Sequence, residues 1–162
     1  MTAQSPGHIV TAAEWNLIWY PPQVKVSLSA NLSVANATTT AVPFTVEAWD
    51  TDTMHSTSVN TSRLTVVTAG RYEMHASVLW AVSAAGVRLL TIRKNGTTNY
   101  AYIGEDAGTA ALGGFNVGMQ AHLTDTAIVG DYYEITVYQS SGGALNLLTD
   151  PCTWFQARLV TP

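Results

Sequence analysis

The residues that could carry catalytic or metal chemistry are few and dispersed along the chain. Its four histidines, His8, His55, His75 and His122, form neither an H-E-x-x-H pattern nor a paired Cys/His spacing of the kind that binds zinc. The sequence has no G-x-S-x-G nucleophile elbow and no phosphate-binding loop of the form G-x-x-x-x-G-K-[ST]. We therefore predict no catalytic residues, no metal site, no cofactor and no enzymatic activity.

We also expect a structural role, and no chemical one, for one acidic turn and for the single cysteine. Asp50-Thr51-Asp52 is similar to half of a calcium loop, but the glycine and bidentate glutamate of an EF-hand do not follow it, which favours a solvated turn. Cys152 is the only cysteine, so an intrachain disulfide is excluded. Because nothing near it in sequence would stabilise a thiolate, we expect it to be a small buried hydrophobic side chain.

The charge composition argues against nucleic-acid and membrane partners. The 162 residues carry 7 Lys+Arg and 11 Asp+Glu, a net charge of −4, and charged residues make up 11% of the chain against a typical ~25%. An acidic balance disfavours phosphate binding, and no apolar run approaches the ~20 residues of a membrane span. We expect no signal peptide at the N-terminus. The low charge implies either a surface of small polar residues or one covered by other subunits.

Residues 1–23 differ from the rest and contain the only helix that we predict. Thr11 is the expected N-cap, Glu14 completes a capping box, and Pro21-Pro22 stops the helix. The spacing then places three apolar side chains on one face: Trp15, Ile18 and Trp19. Because so short a helix is marginal alone, its tryptophans either fold back on the chain's own domain or dock on a partner protein.

From residue 24 onward, short segments in which apolar and polar residues alternate are separated by residues typical of turns. The strongest of these is Asn95-Gly96, typical of a tight hairpin, whereas the glycines of residues 104–114 predict a loop. Many short strands with no helix between them predict a β-sandwich or jelly roll. We therefore divide the chain into an N-terminal arm, residues 1–23, and an all-β domain, residues 24–162.

Three stretches of the β domain resemble one superfamily. They are Leu64–Met74 with its Gly-x-Tyr strand start, Val129–Val137 with its Gly-Asp turn, and the closing strand Trp154–Leu159. Their order and spacing resemble the tumour necrosis factor / complement globular-head superfamily over residues 24–160. The resemblance implies a ten-stranded jelly-roll sandwich that forms a tight homotrimer. One position departs from the family pattern, because Gln156 stands where a glycine commonly follows the phenylalanine.

Alternation in the matching strands, combined with this resemblance, separates core side chains from outward ones. The expected core set is Tyr72, Met74, Ala76, Val78, Tyr133, Ile135, Val137 and Phe155. The outward set, which we expect at the trimer interface, is Glu73, His75, Ser77, Leu79, Tyr132, Glu134, Tyr138 and Trp154. The alternative is a solvated face on which the aromatic residues are incidental.

The segment Gly7–Asn16 is similar to the openings of tailed-bacteriophage virion proteins, where a short N-terminal segment docks on the particle. This similarity implies a virion surface protein made in the host cytoplasm, attached through residues 1–23 to phage capsid or tail proteins. The expected attachment residues are Val10, Trp15, Ile18 and Trp19. The shortness of the arm favours a knob used for capsid decoration or as a head fibre.

The alternative function is a tail fibre or tail-tip protein that recognises host surface glycans. Tyr100 and Tyr102, beside the glycine-rich loop, would form its ligand surface. The same two side chains are more commonly ordinary aromatic residues of a strand.

Overall fold

The computed structural model describes residues 9–106, 114–149 and 151–161, with one helix, α1 (Ala12–Trp19), ahead of twelve strands in those residues. The strands are β1 (Gln23–Ser27), β2 (Leu32–Val34), β3 (Thr40–Ala41), β4 (Val46–Asp50), β5 (Arg63–Thr65), β6 (Gly70–Trp80), β7 (Val87–Lys94), β8 (Thr98–Asp106), β9 (Val117–Ala127), β10 (Tyr132–Gln139), β11 (Leu145–Leu147) and β12 (Trp154–Thr161). Among the described helices, none is both long and apolar enough to cross a membrane.

The strands form two antiparallel sheets that pack face to face. Sheet A has the order β2-β11-β6-β12-β1-β4, and β9 also pairs with β6. Sheet B has the order β3-β10-β7-β8, and β5 also pairs with β10. The first and last long strands are neighbours, because β1 pairs with β12 from Gln23↔Arg158 to Ser27↔Trp154. The arrangement confirms the predicted all-β jelly-roll sandwich, with twelve strands in the described residues where the resemblance implies ten.

The core lies between the sheets and is filled by the side chains that alternation assigns inward. The predicted inward residues of β6, β10 and β12 are all at most 1% exposed. Phe155 packs against Phe44, with ring centroids 6.4 Å apart. Large side chains buried in this way contribute roughly 1.5–3 kcal/mol each relative to exposure. The inward half of the alternation prediction is therefore confirmed.

The Asn95-Gly96 turn joins β7 to β8 as the sequence predicts. Asn95 has a φ of 52° and Gly96 a φ of 73°, the left-handed values that a type I′ turn requires at both central positions. A Cβ on Gly96 would also lie 2.8 Å from the Tyr132 hydroxyl oxygen. The backbone conformation therefore favours glycine here, and a larger side chain would also displace the Tyr132 hydroxyl.

The predicted loop over residues 104–114 is wrong at its start. β8 continues to Asp106, which pairs with Val87, because the backbone hydrogen bonds to β7 outweigh the weak strand preference of Gly104. Residues 107–113 lie outside the described part of the chain.

An ionic cluster ties the two sheets together at one end of the sandwich. Lys94 on sheet B lies 3.0 Å from both Asp125 on sheet A and Asp131 in the β9–β10 turn. The Tyr133 hydroxyl donates to Asp125 at 2.6 Å, and the Asn95 amide donates to Asp131 at 2.9 Å. The three charged side chains are at most 19% exposed, so this cluster is a cross-link between elements rather than a surface site.

The electrostatics of the cluster favour its charged state. Burial alone would lower the pKa of Lys94, but hydrogen bonds to Asp125 and Asp131 raise it above its ordinary value. Burial alone would raise the pKa of Asp125, but hydrogen bonds from Tyr133 and Lys94 lower it. The pKa of Asp131 is lowered against burial by Asn95, the Ile128 N–H and Lys94. The ion pairs therefore contribute to stability at neutral pH.

Candidate functional site

The arm helix has the local structure that its sequence predicts. Thr11 is the N-cap, its hydroxyl accepts from the Glu14 N–H at 3.2 Å, and the Glu14 carboxylate accepts from the Thr11 N–H at 2.8 Å. The helix ends at Trp19, directly before Tyr20 and the prolines. The predicted capping box is therefore confirmed.

The apolar side chains of this helix are largely uncovered within one chain. Trp15 is 54% exposed and Trp19 is 62% exposed, and their ring centroids lie 5.7 Å apart. Val10 is 38% exposed, and Leu17 is the one described side chain of the helix that packs partly against the core. The side chain of Ile18 lies outside the described part of the structure. The described tryptophans thus pair with each other and do not become buried in their own domain.

The outward residues predicted for one trimer interface lie on two different faces. Glu73, His75, Ser77, Leu79 and Trp154 belong to β6 and β12 of sheet A. The other predicted residues, Tyr132, Glu134 and Tyr138, belong to β10 of sheet B. Because the sheets pack through their inner faces, the two groups point in opposite directions and do not form one surface. Period-two alternation separates inward from outward but does not assign a strand to a sheet.

Two of the predicted interface residues are also buried within the chain. Ser77 is 4% exposed and Glu134 is 5% exposed. Arg93 donates to the Glu134 carboxylate at 2.7 Å, and the Ser62 hydroxyl donates to it at 3.3 Å. Glu134 therefore has an intrachain structural role.

The outer face of sheet A carries an aromatic–cationic row that sequence reasoning missed. Lys25 Nζ lies 4.5 Å from the ring centroid of Trp154 and 5.5 Å from that of Trp49. Trp49 lies on β4, the strand next to β1, and its side chain is 44% exposed. We call Lys25, Trp49 and Trp154 the aromatic face. The available signal was that each lies at an outward strand position, but only the pairing of β4, β1 and β12 brings them together.

Two histidines far apart in sequence meet beside the aromatic face. His75 on β6 pairs directly with His122 on β9, and their ring centroids lie 6.5 Å apart. The Glu73 carboxylate lies 3.8 Å from Nε2 of His75. A shallow depression is lined by His75, Ala76, Gln120, Ala121, His122 and Trp154.

The outer face of sheet B carries a shallow polar groove. Its lining residues are Thr39, Leu89, Thr91, Arg93, Asn99, Thr136, Val137 and Tyr138. Tyr100 on the edge strand β8 is 45% exposed. The backbone of Tyr102 pairs with Thr91 of the groove, and its side chain lies outside the described residues.

The acidic turn is held by backbone hydrogen bonds, but it is less solvated than predicted, because Oδ2 of Asp52 is buried. The Asp50 carboxylate accepts from the backbone N–H groups of Asp52, Met54 and His55 at 2.8–3.2 Å. Backbone capping by an aspartate is the usual arrangement of such a turn. Among the described residues, no group of three or more His, Cys, Asp or Glu side chains is placed to hold a metal ion.

The expectation that Cys152 is buried is wrong. Cys152 is exposed in the turn before β12, and the buried position is taken by the next residue, Thr153. The Thr153 hydroxyl accepts the Leu79 N–H at 3.0 Å. Alternation along β12 places Thr153 and Phe155 inward, so the neighbouring turn residue faces solvent.

No protein-family model and no curated protein matches this sequence. Solved structures do match its fold. The globular domain of zebrafish complement 1qA is 14% identical, with 86% of this chain and 97% of that chain covered and a TM-score of 0.57. Murine APRIL at pH 8.0 is 11% identical, with 86% and 98% covered and a TM-score of 0.62. At these identities the likeness shows the fold alone: the chain has the jelly-roll fold of complement 1q and tumour-necrosis-factor-like domains.

Proposed function

We propose that this protein is a structural protein of a bacteriophage virion, a homotrimeric surface knob that residues 1–23 attach to the particle. The observation that carries the proposal is α1, a helix that is capped and terminated by its own sequence while its tryptophans remain 54% and 62% exposed. Exposed large aromatic side chains that one domain does not bury are typical anchors of an interface. The partner that we propose for them is a capsid protein.

The fold and the character of sheet A support the proposed homotrimer. The outer face of sheet A combines the large side chains of Trp49, Trp154 and the partly buried Leu79 with the charged side chains of Lys25, Glu73 and Arg158. Tryptophan, which has a large apolar ring and one polar N–H, is a residue type that is common in subunit interfaces. We place the subunit interface on this face and leave Tyr132, Glu134 and Tyr138 outside it.

Avidity connects the two parts of the proposal. A trimer presents three arms, so contacts that are weak for one arm become strong when three engage the same particle. The sandwich supplies the assembly, and the arm supplies the attachment.

The direct test removes the arm and measures binding to particles. Phage particles grown without this protein are incubated with the purified full chain, with a variant lacking residues 1–20, and with a Trp15→Ala/Trp19→Ala variant. Both variants should remain folded trimers and lose binding to the particles. The matched control is Ile128→Ala/Val129→Ala, which removes two similarly exposed apolar side chains, 68% and 65% exposed, from the sandwich.

Two results would contradict the proposal. Normal decoration of particles by the variant lacking residues 1–20 would show that the arm is not the anchor. Light scattering that gives a monomer mass, instead of about three times the 17.3 kDa chain, would exclude the trimer.

The second candidate is a tail-tip protein that binds host surface glycans, and the groove on sheet B is the observation that favours it. Its lining by Arg93, Asn99 and Tyr138 offers donors and an aromatic ring to a sugar. Tyr100 and the backbone of Tyr102 lie on the neighbouring edge strand. Imaging a label on intact particles separates the candidates, because the label lies on the capsid in one case and at the tail tip in the other.

A further inference from the structure

Two of the four histidines, 47 positions apart in sequence, are cross-strand neighbours on the outer face of sheet A. His75 and His122 pair directly between β6 and β9, and residues so paired have Cβ atoms about 4.5–5.5 Å apart. Their rings tilt by 30°, with centroids 6.5 Å apart. The imidazole of His75 is 42% exposed, and His122 is also exposed. In a single copy of the chain, dissolved ions can therefore reach both rings.

We propose that His75 and His122 together bind a divalent transition metal ion of the zinc, copper and nickel group. Neutral imidazole is a preferred ligand of these ions, whereas calcium and magnesium select oxygen ligands. With Zn–N bonds of ~2.0–2.1 Å, two imidazoles on one tetrahedral ion have centroids about 5 Å apart. Small side-chain rotations close the remaining gap, because both rings are at the surface.

The surroundings of the pair favour a bound cation. Glu73 lies 3.8 Å from Nε2 of His75 on the same strand face. The carboxylate makes no hydrogen bond to the ring at this distance, but its negative charge attracts a cation held by the two imidazoles. Gln120 borders the same depression and presents a further polar side chain.

The chain supplies two ligands, so water or a second copy completes the coordination. The proposed trimer shares this face, and the ion would then lie close to the interface between copies. Metal binding by the pair does not require the trimer, because both imidazoles come from one chain. Sedimentation of the same samples, with and without metal, measures the oligomeric state, so the trimer and the metal site are tested separately.

The test is calorimetric titration of the full chain with Zn²⁺ and, separately, with Mg²⁺. We expect saturable Zn²⁺ binding and no Mg²⁺ binding. His75→Ala and His122→Ala should each abolish the saturable binding while circular dichroism shows an unchanged fold. Two control variants should bind Zn²⁺ as the wild type does: His8→Ala, which removes a histidine distant in sequence from the pair, and Cys152→Ser, which removes the exposed thiol.

A spectroscopic measurement identifies the ligands. Electron paramagnetic resonance of the Cu²⁺ complex should show coupling to two imidazole nitrogens in the wild type and to fewer in either single variant. Absence of saturable Zn²⁺ binding in the wild type would overturn the proposal. Undiminished binding in both His75→Ala and His122→Ala would overturn it as well, whatever the sedimentation shows about the trimer.

Discussion

The sandwich and the arm treat their large apolar side chains in opposite ways. In the sandwich, Tyr72, Trp80 and Phe155 are completely buried between the two sheets. In the arm, Trp15 and Trp19 remain more than half exposed although their helix is regular and capped. Local sequence signals are thus enough to start and end a short helix, but they do not supply a surface against which it packs. A β-sandwich, in contrast, forms only through contacts between residues that are far apart in sequence.

The largest effect is expected where the sandwich is held by charge. Lys94→Met should lower the free energy of unfolding by about 3–5 kcal/mol, because it leaves the Asp125 and Asp131 carboxylates close together without their shared cation. Urea unfolding at pH 7 measures the change. The matched control is Arg63→Met, away from the proposed interface, which loses a cation–π contact with Tyr132 worth about 0.5–1 kcal/mol. Equal losses in the two variants would contradict the structural role of the cluster.

The next effect concerns the subunit interface of the sandwich. Trp154→Ala should weaken the trimer by about 2 kcal/mol or more, the size typical of a buried aromatic anchor. Analytical ultracentrifugation measures the trimer–monomer equilibrium, and near-UV circular dichroism checks that the monomer remains folded. Tyr138→Ala, on the outer face of sheet B, should leave the equilibrium unchanged. The reverse pattern would place the interface on sheet B.

A smaller effect is expected from acid. The pKa values of Asp125 and Asp131 are lowered in the folded state, so their contribution to stability is complete above the unfolded value, near 3.9, and is lost as the pH falls through the folded values. The pKa of Lys94 is raised, so its contribution is complete below its ordinary value and is lost only as the pH rises through the folded value. The unfolding free energy should therefore fall below about pH 4.

The variant that tests this acid response is Asp125→Asn, because an asparagine side chain has no proton to gain or lose in this pH range. It should be less stable than the wild type at pH 7 and should lose less stability on acidification to pH 3. The difference is at most about 1.3 kcal/mol, the limit that an unfolded pKa near 3.9 sets at pH 3. Urea unfolding at the two pH values gives both numbers. An acid-induced loss as large as that of the wild type would show that other carboxylates dominate the acid response.

The smallest effect is expected in the arm. Thr11→Ala removes the N-cap and should destabilise α1 by about 1 kcal/mol, which accelerates amide exchange over Ala12–Trp19 about fivefold. Hydrogen–deuterium exchange measures this change, and the amides of β6 serve as the internal control. If β6 exchanged faster as well, the helix and the sandwich would be one cooperative unit, and the comparison between them would fail.

Sequence reasoning succeeded where the signal is local. The capping box of Thr11 and Glu14 depends on residues three positions apart, and the Asn95-Gly96 turn depends on its own two backbone conformations. It failed for Cys152, because one position of shift relative to β12 decides whether a side chain faces the core or solvent. The resemblance to a known superfamily then supplied the fold that these local signals alone left open.

The sequence by itself determined the short capped helix, the all-β character of the rest of the chain and the alternation within β6, β10 and β12, and its resemblance to a known superfamily indicated the jelly roll and which of the alternating side chains face inward. Only the tertiary structure decided that β10 lies in the sheet opposite β6 and β12. Only the tertiary structure brought Lys25 between two tryptophans and His75 beside His122. The physical reason is that alternation is a property of one strand, whereas the choice of neighbouring strand depends on pairing between residues that are tens of positions apart.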